Sequence, residues 1–386
     1  MTRVGKLILV TRKDLNYFFD LVRCLSILGV IASHVVQTYA VPIERGLLYN
    51  FFYVGSEGVF SFFFLSGCLM TFLYDKKTGL EMYITNRQII LRRIARIYPL
   101  WVAFLFAYIA LSLMFNLGSA NFAVDVLNQQ GFSSFSSHII TCVAFLFFVA
   151  WLTPIIYNST VPGGWSIICE VYHYLFYVST RTKSPMRIIQ ILISFNIITL
   201  VIVNNTLEIF ILGYLREVLL TFPIYQTLFY FILGVFFMKL LGHIDVKQRS
   251  IRVDMKSFLV VIYFCFYSLT VFLLPTFSKP QIHSILFCTI VLMLSFTLLN
   301  IKNKSKRKLV TALAKYSYFL YFIHFVLISF SYKTGLTEKL KLTLGSNLGV
   351  YMVLFLTLII LVGTSLARVS YRFFEEPMRK VIREFV

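Results

Sequence analysis

Arg23 and His34 are set 11 positions apart inside one apolar stretch. At about 100° per residue that spacing is three helical turns plus about 20°, so both side chains leave a helix from one face, about 16 Å apart along its axis. Asp20 lies one turn below Arg23, where an ion pair can form. An imidazole, with an ordinary pKa of about 6.5, is well matched to taking a proton from a hydroxyl near neutral pH. The same histidine could equally be packed and hydrogen-bonded to a neighbouring helix. Glu57, Glu170 and His324 each fall seven residues from one end of their own apolar stretch, and His173 follows Glu170 by one turn. Such groups at matched depth make a proton-handling site where their helices converge, and scattered interhelical hydrogen bonds where they do not. A further cluster, Arg92, Arg93 and Arg96, precedes Ile97-Tyr98-Pro99 on a stretch expected to be helical. Arg93 and Arg96 are one turn apart, a spacing at which two guanidiniums can grip phosphate oxygens bidentately. The plainer reading makes them membrane-surface anchors, with Tyr98 and Trp101 as an interfacial aromatic belt.

The elements that must carry these residues follow from composition. Of 386 residues 59% are hydrophobic and 13% charged, against roughly 25% charged in an ordinary soluble domain. A soluble globular protein is excluded. The apolar residues gather into many runs of about 20, the length that crosses a bilayer as helix. Leu, Ile and Phe fill successive positions without strict alternation, which excludes an outer-membrane β-barrel. Within such helices a charged group costs about 2.5 to 3.5 kcal/mol, so each needs a partner, a wet cavity or a chemical task. The net charge of +20, from 36 Lys and Arg against 16 Asp and Glu, would point to nucleic acid in a soluble chain. Here the basic residues sit in short loops, where they set orientation and meet anionic lipid, and no nucleic-acid partner is expected. The six cysteines, Cys24, Cys68, Cys142, Cys169, Cys265 and Cys288, form no CxxC pair and read as small buried apolar residues. The first apolar stretch, which contains Asp20, Arg23 and His34 and has no small-residue cleavage site, is expected to be a mature span and not a signal peptide.

Eleven apolar stretches are present, the first near residues 16–40 and the last near 348–366. Basic connections at Lys76 to Arg96, Arg181 to Arg187, Lys239 to Lys256, Lys302 to Lys308 and from Arg368 should all be cytoplasmic, together with the N-terminus. Between Arg96 and Arg181 lie three stretches, and an odd number of crossings would put their flanking loops on opposite sides. The stretch from His138 to Tyr157 is therefore expected to be re-entrant, bracketed as it is by Gly131, a serine run, Pro154 and Pro162-Gly163-Gly164. The expected fold is all-α and polytopic: ten transmembrane helices, both termini cytoplasmic, an external loop over residues 119–162 that contains the re-entrant segment, and a basic cytoplasmic tail over 367–386. Residues 1–386 form one membrane domain. His34, Glu57, Glu170 and His324 then share the external third of the membrane, and the arginine cluster faces the cytoplasm.

With these residues in place, the chain resembles the acyltransferase-3 family of membrane acyltransferases over nearly its whole length. Arg23-x10-His34 is similar to the family's first-helix signature, and Gly58-Val59 with Phe62-Phe63-Phe64-Leu65-Ser66-Gly67 to its second. Arg93-x-x-Arg96 with Tyr98-Pro99 resembles the arginine pair, Trp165-Ser166-Ile167 with Glu170 the WSL-x-x-E block, and Ser317-Tyr318 with Tyr321 and His324 the SY-x-x-Y-x-x-H block. Ser370-Tyr371 with Glu375-Glu376-Pro377 resembles the closing motif. Where the family often carries carboxylates, this chain has Phe60 and Val171, so roles of those carboxylates do not transfer.

The resemblance implies ten spans with a re-entrant external loop, in agreement with the charge pattern, and an acyl-CoA-dependent membrane O-acetyltransferase. Acetyl from cytoplasmic acetyl-CoA would pass to a hydroxyl of a surface or lipid-linked glycan of O-antigen, capsule or exopolysaccharide type, in a bacterial inner membrane. His34, Glu170 and Arg23 are the expected catalytic residues; Arg93, Arg96, Arg23 and Ser66 are expected to hold acetyl-CoA; Glu57, His324, Trp165 and Tyr318 support them. In this reading the pantetheine arm runs along a groove lined by Arg23 and Ser66-Gly67, whose small residues permit close helix approach. Direct transfer and a route through an acyl-enzyme are both compatible with these residues. Acetyl-CoA, a glycan acceptor and membrane lipids are the implied partners, no metal is implied, and oligomeric state is open. The competing class is a transporter or flippase for a lipid-linked sugar, which also needs charges within the membrane. Reporter fusions test the topology: fusions after Lys183, Asp245 and Asn303 should read cytoplasmic and one after Gln130 external, and an external reading after Lys183 would restore the eleventh crossing.

Overall fold

The computed structural model describes residues 8–38, 52–76, 80–115 apart from 82, 134–150, 163–194 apart from 185, 189 and 192, 224–240, 244–245, 250–253, 304–344 and 348–384, with single positions at 49, 291, 292 and 295. The elements in chain order are β1 (Ile8–Thr11), α1 (Arg12–Thr38), a 3-10 turn (Val54–Glu57), α2 (Gly58–Tyr74), α3 (Asn86–Phe115), α4 (Ser134–Leu146), α5 (Gly164–Thr180) and α6 (Ile224–Leu240). They continue with β2 (Ile244–Asp245), β3 (Ser250–Val253), α7 (Lys304–Lys333), α8 (Leu336–Leu344), α9 (Leu348–Ser370), a π turn (Tyr371–Glu375) and α10 (Glu376–Glu384). Among the described residues four helical stretches are long and apolar enough to cross a membrane: Lys13–Gln37, Val54–Tyr74, Ser305–Lys333 and Gly349–Val381. The chain divides into two compact units, one of residues 1–82 and 230–368, the other of 83–229 and 369–386.

In the first unit α1 and α7 run side by side in the same direction. Their contacts climb in step: Arg307 pairs with Asp14 at 3.6 Å and lies 4.6 Å over the Tyr17 ring, Thr311 bonds Asp20, and His324 meets His34. The polar stripe of α1 thus faces another helix and not lipid. On its other side α1 packs antiparallel to the 3-10 turn and α2. A Cβ on Gly55 would strike the Gly29 carbonyl and one on Gly58 the Ser26 carbonyl, while the Ser33 hydroxyl donates to the Tyr53 carbonyl at 2.8 Å. The same device recurs between α2 and α6: Gly67 lies against the Phe231 carbonyl and Gly234 against the Phe64 carbonyl. Two glycines let the backbones touch, as small residues do within membranes. At the end of α2 the chain leaves the helix at Asp75, whose buried carboxylate is paired with Lys239 of α6 at 2.8 Å. Cys24 and Cys68 are buried, and the Cys68 thiol donates to the Gly234 carbonyl at 3.5 Å.

The all-α expectation holds, with one small sheet added at the basic ends of the helices. There β1, β3 and β2 form a small antiparallel sheet in which Ile8 faces Val253 and Ile244 faces Ile251. Short runs rich in Ile and Val favour strands once they leave the bilayer. The pairing ties the segment before α1 to the basic connection after α6.

In the second unit α3 and α5 are antiparallel, with α4 laid against α3 and α10 also against α3. Gly163, at φ +79, takes a left-handed turn open to glycine and starts α5, where Gly164 fits beneath the Trp101 and Phe145 rings. The fully buried Trp101 donates its indole N–H to the Phe145 carbonyl at 3.4 Å, and Tyr172 donates to the Phe148 carbonyl at 3.4 Å. These bonds hold the end of α4. With 13 residues, α4 is about 20 Å long, short of the ~30 Å hydrocarbon core. The rest of the expected external loop, the stretch near 257–275, and most of those near 188–205 and 282–300 fall outside the described residues.

The Gly67 and Gly234 contact yields a prediction. Gly234→Leu puts side-chain atoms into the α2 backbone and should give protein that aggregates or melts well below wild type in detergent, judged by size exclusion and thermal midpoint. An unchanged midpoint would mean that the two helices are not in backbone contact.

Candidate active site

His34 and His324 are brought together by the parallel pairing of α1 and α7, with ring centroids 5.4 Å apart. Phe325 packs on both imidazoles, at 4.5 Å and 4.2 Å, and Tyr321 lies 6.0 Å from His324. Their settings differ. His34 is half-buried, with the Gln37 side chain as a hydrogen-bonding neighbour, whereas His324 has no exposed surface. The Nδ1 of His324 is 2.9 Å from the Leu320 carbonyl, and a carbonyl only accepts, so Nδ1–H is the donor. Nε2 is buried without a hydrogen-bond partner among the described residues. A fully buried imidazole stands behind a half-buried one.

Further down α1 the Arg23 guanidinium donates to Asp20 at 3.2 Å, the ion pair that the spacing predicts. Ser66 is buried on α2, and its neighbour Gly67 is closed off by the α6 backbone. The small residues there serve helix packing, so the Gly67 face of the expected pantetheine groove is filled by protein. Glu57 is half-buried in the 3-10 turn. Because Gly55 is level with Gly29 and Gly58 with Ser26, Glu57 stands near the level of Ile27. That is seven residues, about 10 Å, along α1 from His34, and not at its depth. Tyr318 of α7 is half-buried and packs edge-on against Phe322 at 5.3 Å.

Glu170, Trp165, Arg93 and Arg96 belong to the second unit. Arg93 is buried, 5% exposed, while Arg92 and Arg96 on the same helix are exposed. The Arg93 guanidinium carbon lies 5.8 Å above the centre of the Tyr174 ring, and the Tyr174 hydroxyl donates to the Glu170 carboxylate. Glu170 is half-buried, as is Trp165 five residues before it, and Tyr174 is fully buried. Arg93 and Glu170, expected at opposite depths, are thus joined through one side chain. His173, on the neighbouring face of α5, is engaged elsewhere: its Nε2 is 3.2 Å from the Thr227 hydroxyl. Tyr174 escaped sequence reasoning, although its place four residues after Glu170 is the signal that could have found it.

Half-buried imidazole, buried second imidazole, ion-paired arginine and an arginine-bearing helix all fall within residues 16–368, the region matched by a family model described as an acyltransferase domain. The chain belongs to the acyltransferase-3 family. It is accordingly a membrane acyltransferase. No curated protein and no solved structure matches the chain.

The contrast between the two imidazoles is measurable. Diethyl pyrocarbonate applied to the folded acyltransferase should modify His34 well ahead of His324 and His173, which are 0% and 1% exposed, as mapped by peptide mass spectrometry. Equal labelling of His34 and His324 would contradict the burial described.

Proposed function

We propose that this acyltransferase is an O-acetyltransferase of the bacterial inner membrane, moving acetyl from cytoplasmic acetyl-CoA to a hydroxyl of a surface or lipid-linked glycan. The observation that carries the reading is the His34 and His324 pair. Acyl transfer from a thioester to a hydroxyl needs a base that removes the hydroxyl proton as the oxygen attacks the carbonyl carbon. His34 takes that proton at the accessible imidazole. The C–S bond then breaks and the departing CoA sulfur receives the proton from His34, so the enzyme ends as it began. His324, packed beside His34 with ring centroids 5.4 Å apart, holds the His34 ring in place while the tetrahedral adduct exists.

On the donor side, Arg96 offers an exposed guanidinium and Arg93 a buried one a turn away, a pair suited to the phosphates of CoA. Arg23 and Ser66 provide polar groups for the rest of the donor. Glu170 is the carboxylate that the WSL-x-x-E-like block contributes to the reaction. The glycan acceptor rests on the family resemblance.

Membranes incubated with labelled acetyl-CoA and the host's surface glycan should yield alkali-labile labelled ester. His34→Ala should abolish it while the protein still folds and binds CoA. Arg93→Ala with Arg96→Ala should raise the apparent KM for acetyl-CoA by about tenfold or more, as expected for lost hydrogen bonds to charged groups. Sugar translocation with no ester formed would return the protein to the transporter class.

A further inference from the structure

Glu170 and Tyr174 are four residues apart on α5, and helical side chains lean toward the N-terminus, so the Tyr174 phenol lies back over Glu170. Its hydroxyl has one proton to donate, and that proton goes to the Glu170 carboxylate. The ring beneath is 1% exposed and carries the Arg93 guanidinium on its face. A buried cation over an aromatic face gains from the ring's quadrupole, and a hydrogen bond to an ionised carboxylate is stronger than a neutral one. One side chain therefore meets a carboxylate through its oxygen and a cation through its π face. Packing alone would be served as well by phenylalanine, which makes the hydroxyl the informative atom.

We infer that Tyr174 is a positioning residue of the acyltransferase: its hydroxyl orients the Glu170 carboxylate and its ring seats the Arg93 guanidinium, so that the two motif residues work as one charged assembly. The inference rests on the acetyl-transfer reading for its catalytic consequence. Donor phosphates that engage Arg93 share that cation with the Tyr174 ring, and the strength of the hydroxyl's hold on Glu170 follows. Arg93 and Glu170 are then coupled and not independent.

Tyr174→Phe in the full-length protein keeps the ring and its packing and removes only the hydroxyl. In the labelled acetyl-CoA assay it should lower kcat by about tenfold or more, the scale of one hydrogen bond to a charged group, while KM for acetyl-CoA stays within about twofold. Combined with Glu170→Gln it should cause no further loss, because the hydroxyl acts through that carboxylate. An unchanged kcat, or a full additional loss on top of Glu170→Gln, overturns the inference. A second measurement does not depend on turnover. The Glu170 carboxylate band, taken as the infrared difference between wild type and Glu170→Gln, should shift when Tyr174 is replaced by Phe, and an unmoved band overturns the inference. A band that shifts in Tyr174→Phe, with no ester formed by the wild type, supports the linkage and overturns acetyl transfer.

Discussion

A polar side chain buried in a membrane-spanning helix must find a partner, because unpaired it costs several kcal/mol of desolvation. In this protein that requirement decides which helices are neighbours. The stripe Asp14, Tyr17, Asp20, Arg23 and His34 on α1 is met level by level by Arg307, Thr311 and His324 on α7. Only a parallel pairing lets the partners climb together. It sets charge pairs towards the start of both helices and two imidazoles further along. The charged groups pair with one another, whereas His324 Nε2 is buried without a hydrogen-bond partner among the described residues.

Close packing around this seam comes from glycine. Gly55, Gly58, Gly67 and Gly234 each remove a Cβ where another helix's backbone passes, so α2 is held against α1 on one side and α6 on the other. In the second unit aromatic rings take that part: Trp101 and Phe145 cover Gly164, and Tyr174 stands between Arg93 and Glu170. The two units solve the same problem of buried charge in different ways, one by pairing like helices, the other by placing an aromatic ring between opposite charges.

Much of the fold was legible in the sequence because it depends on local periodicity. The Arg23 to His34 face, the Asp20 ion pair and the helical run through Arg93 and Arg96 follow from 3.6 residues per turn, and all are found. Partner choice was not legible. That α7 is the helix beside α1, that Arg93 reaches Glu170 through Tyr174, and that Glu57 sits about 10 Å along α1 from His34 depend on how helices are set against one another, which counting residues from span ends does not give. Within the first unit, equal distance from a span end implied equal depth for His34 and His324 and not for Glu57. The small sheet was missed because its strands are two to four residues long, too short for an alternation signal to stand out.

The central claim is that a thioester supplied from the cytoplasm is used at the His34 imidazole. Sealed vesicles of known orientation test it most directly, with labelled acetyl-CoA supplied to one face at a time and the acceptor glycan present on both. Ester label that forms when acetyl-CoA meets the cytoplasmic face, fails to form from the opposite face, and vanishes in His34→Ala is the predicted result. Label that forms equally from either face, or that survives in His34→Ala, would contradict the account.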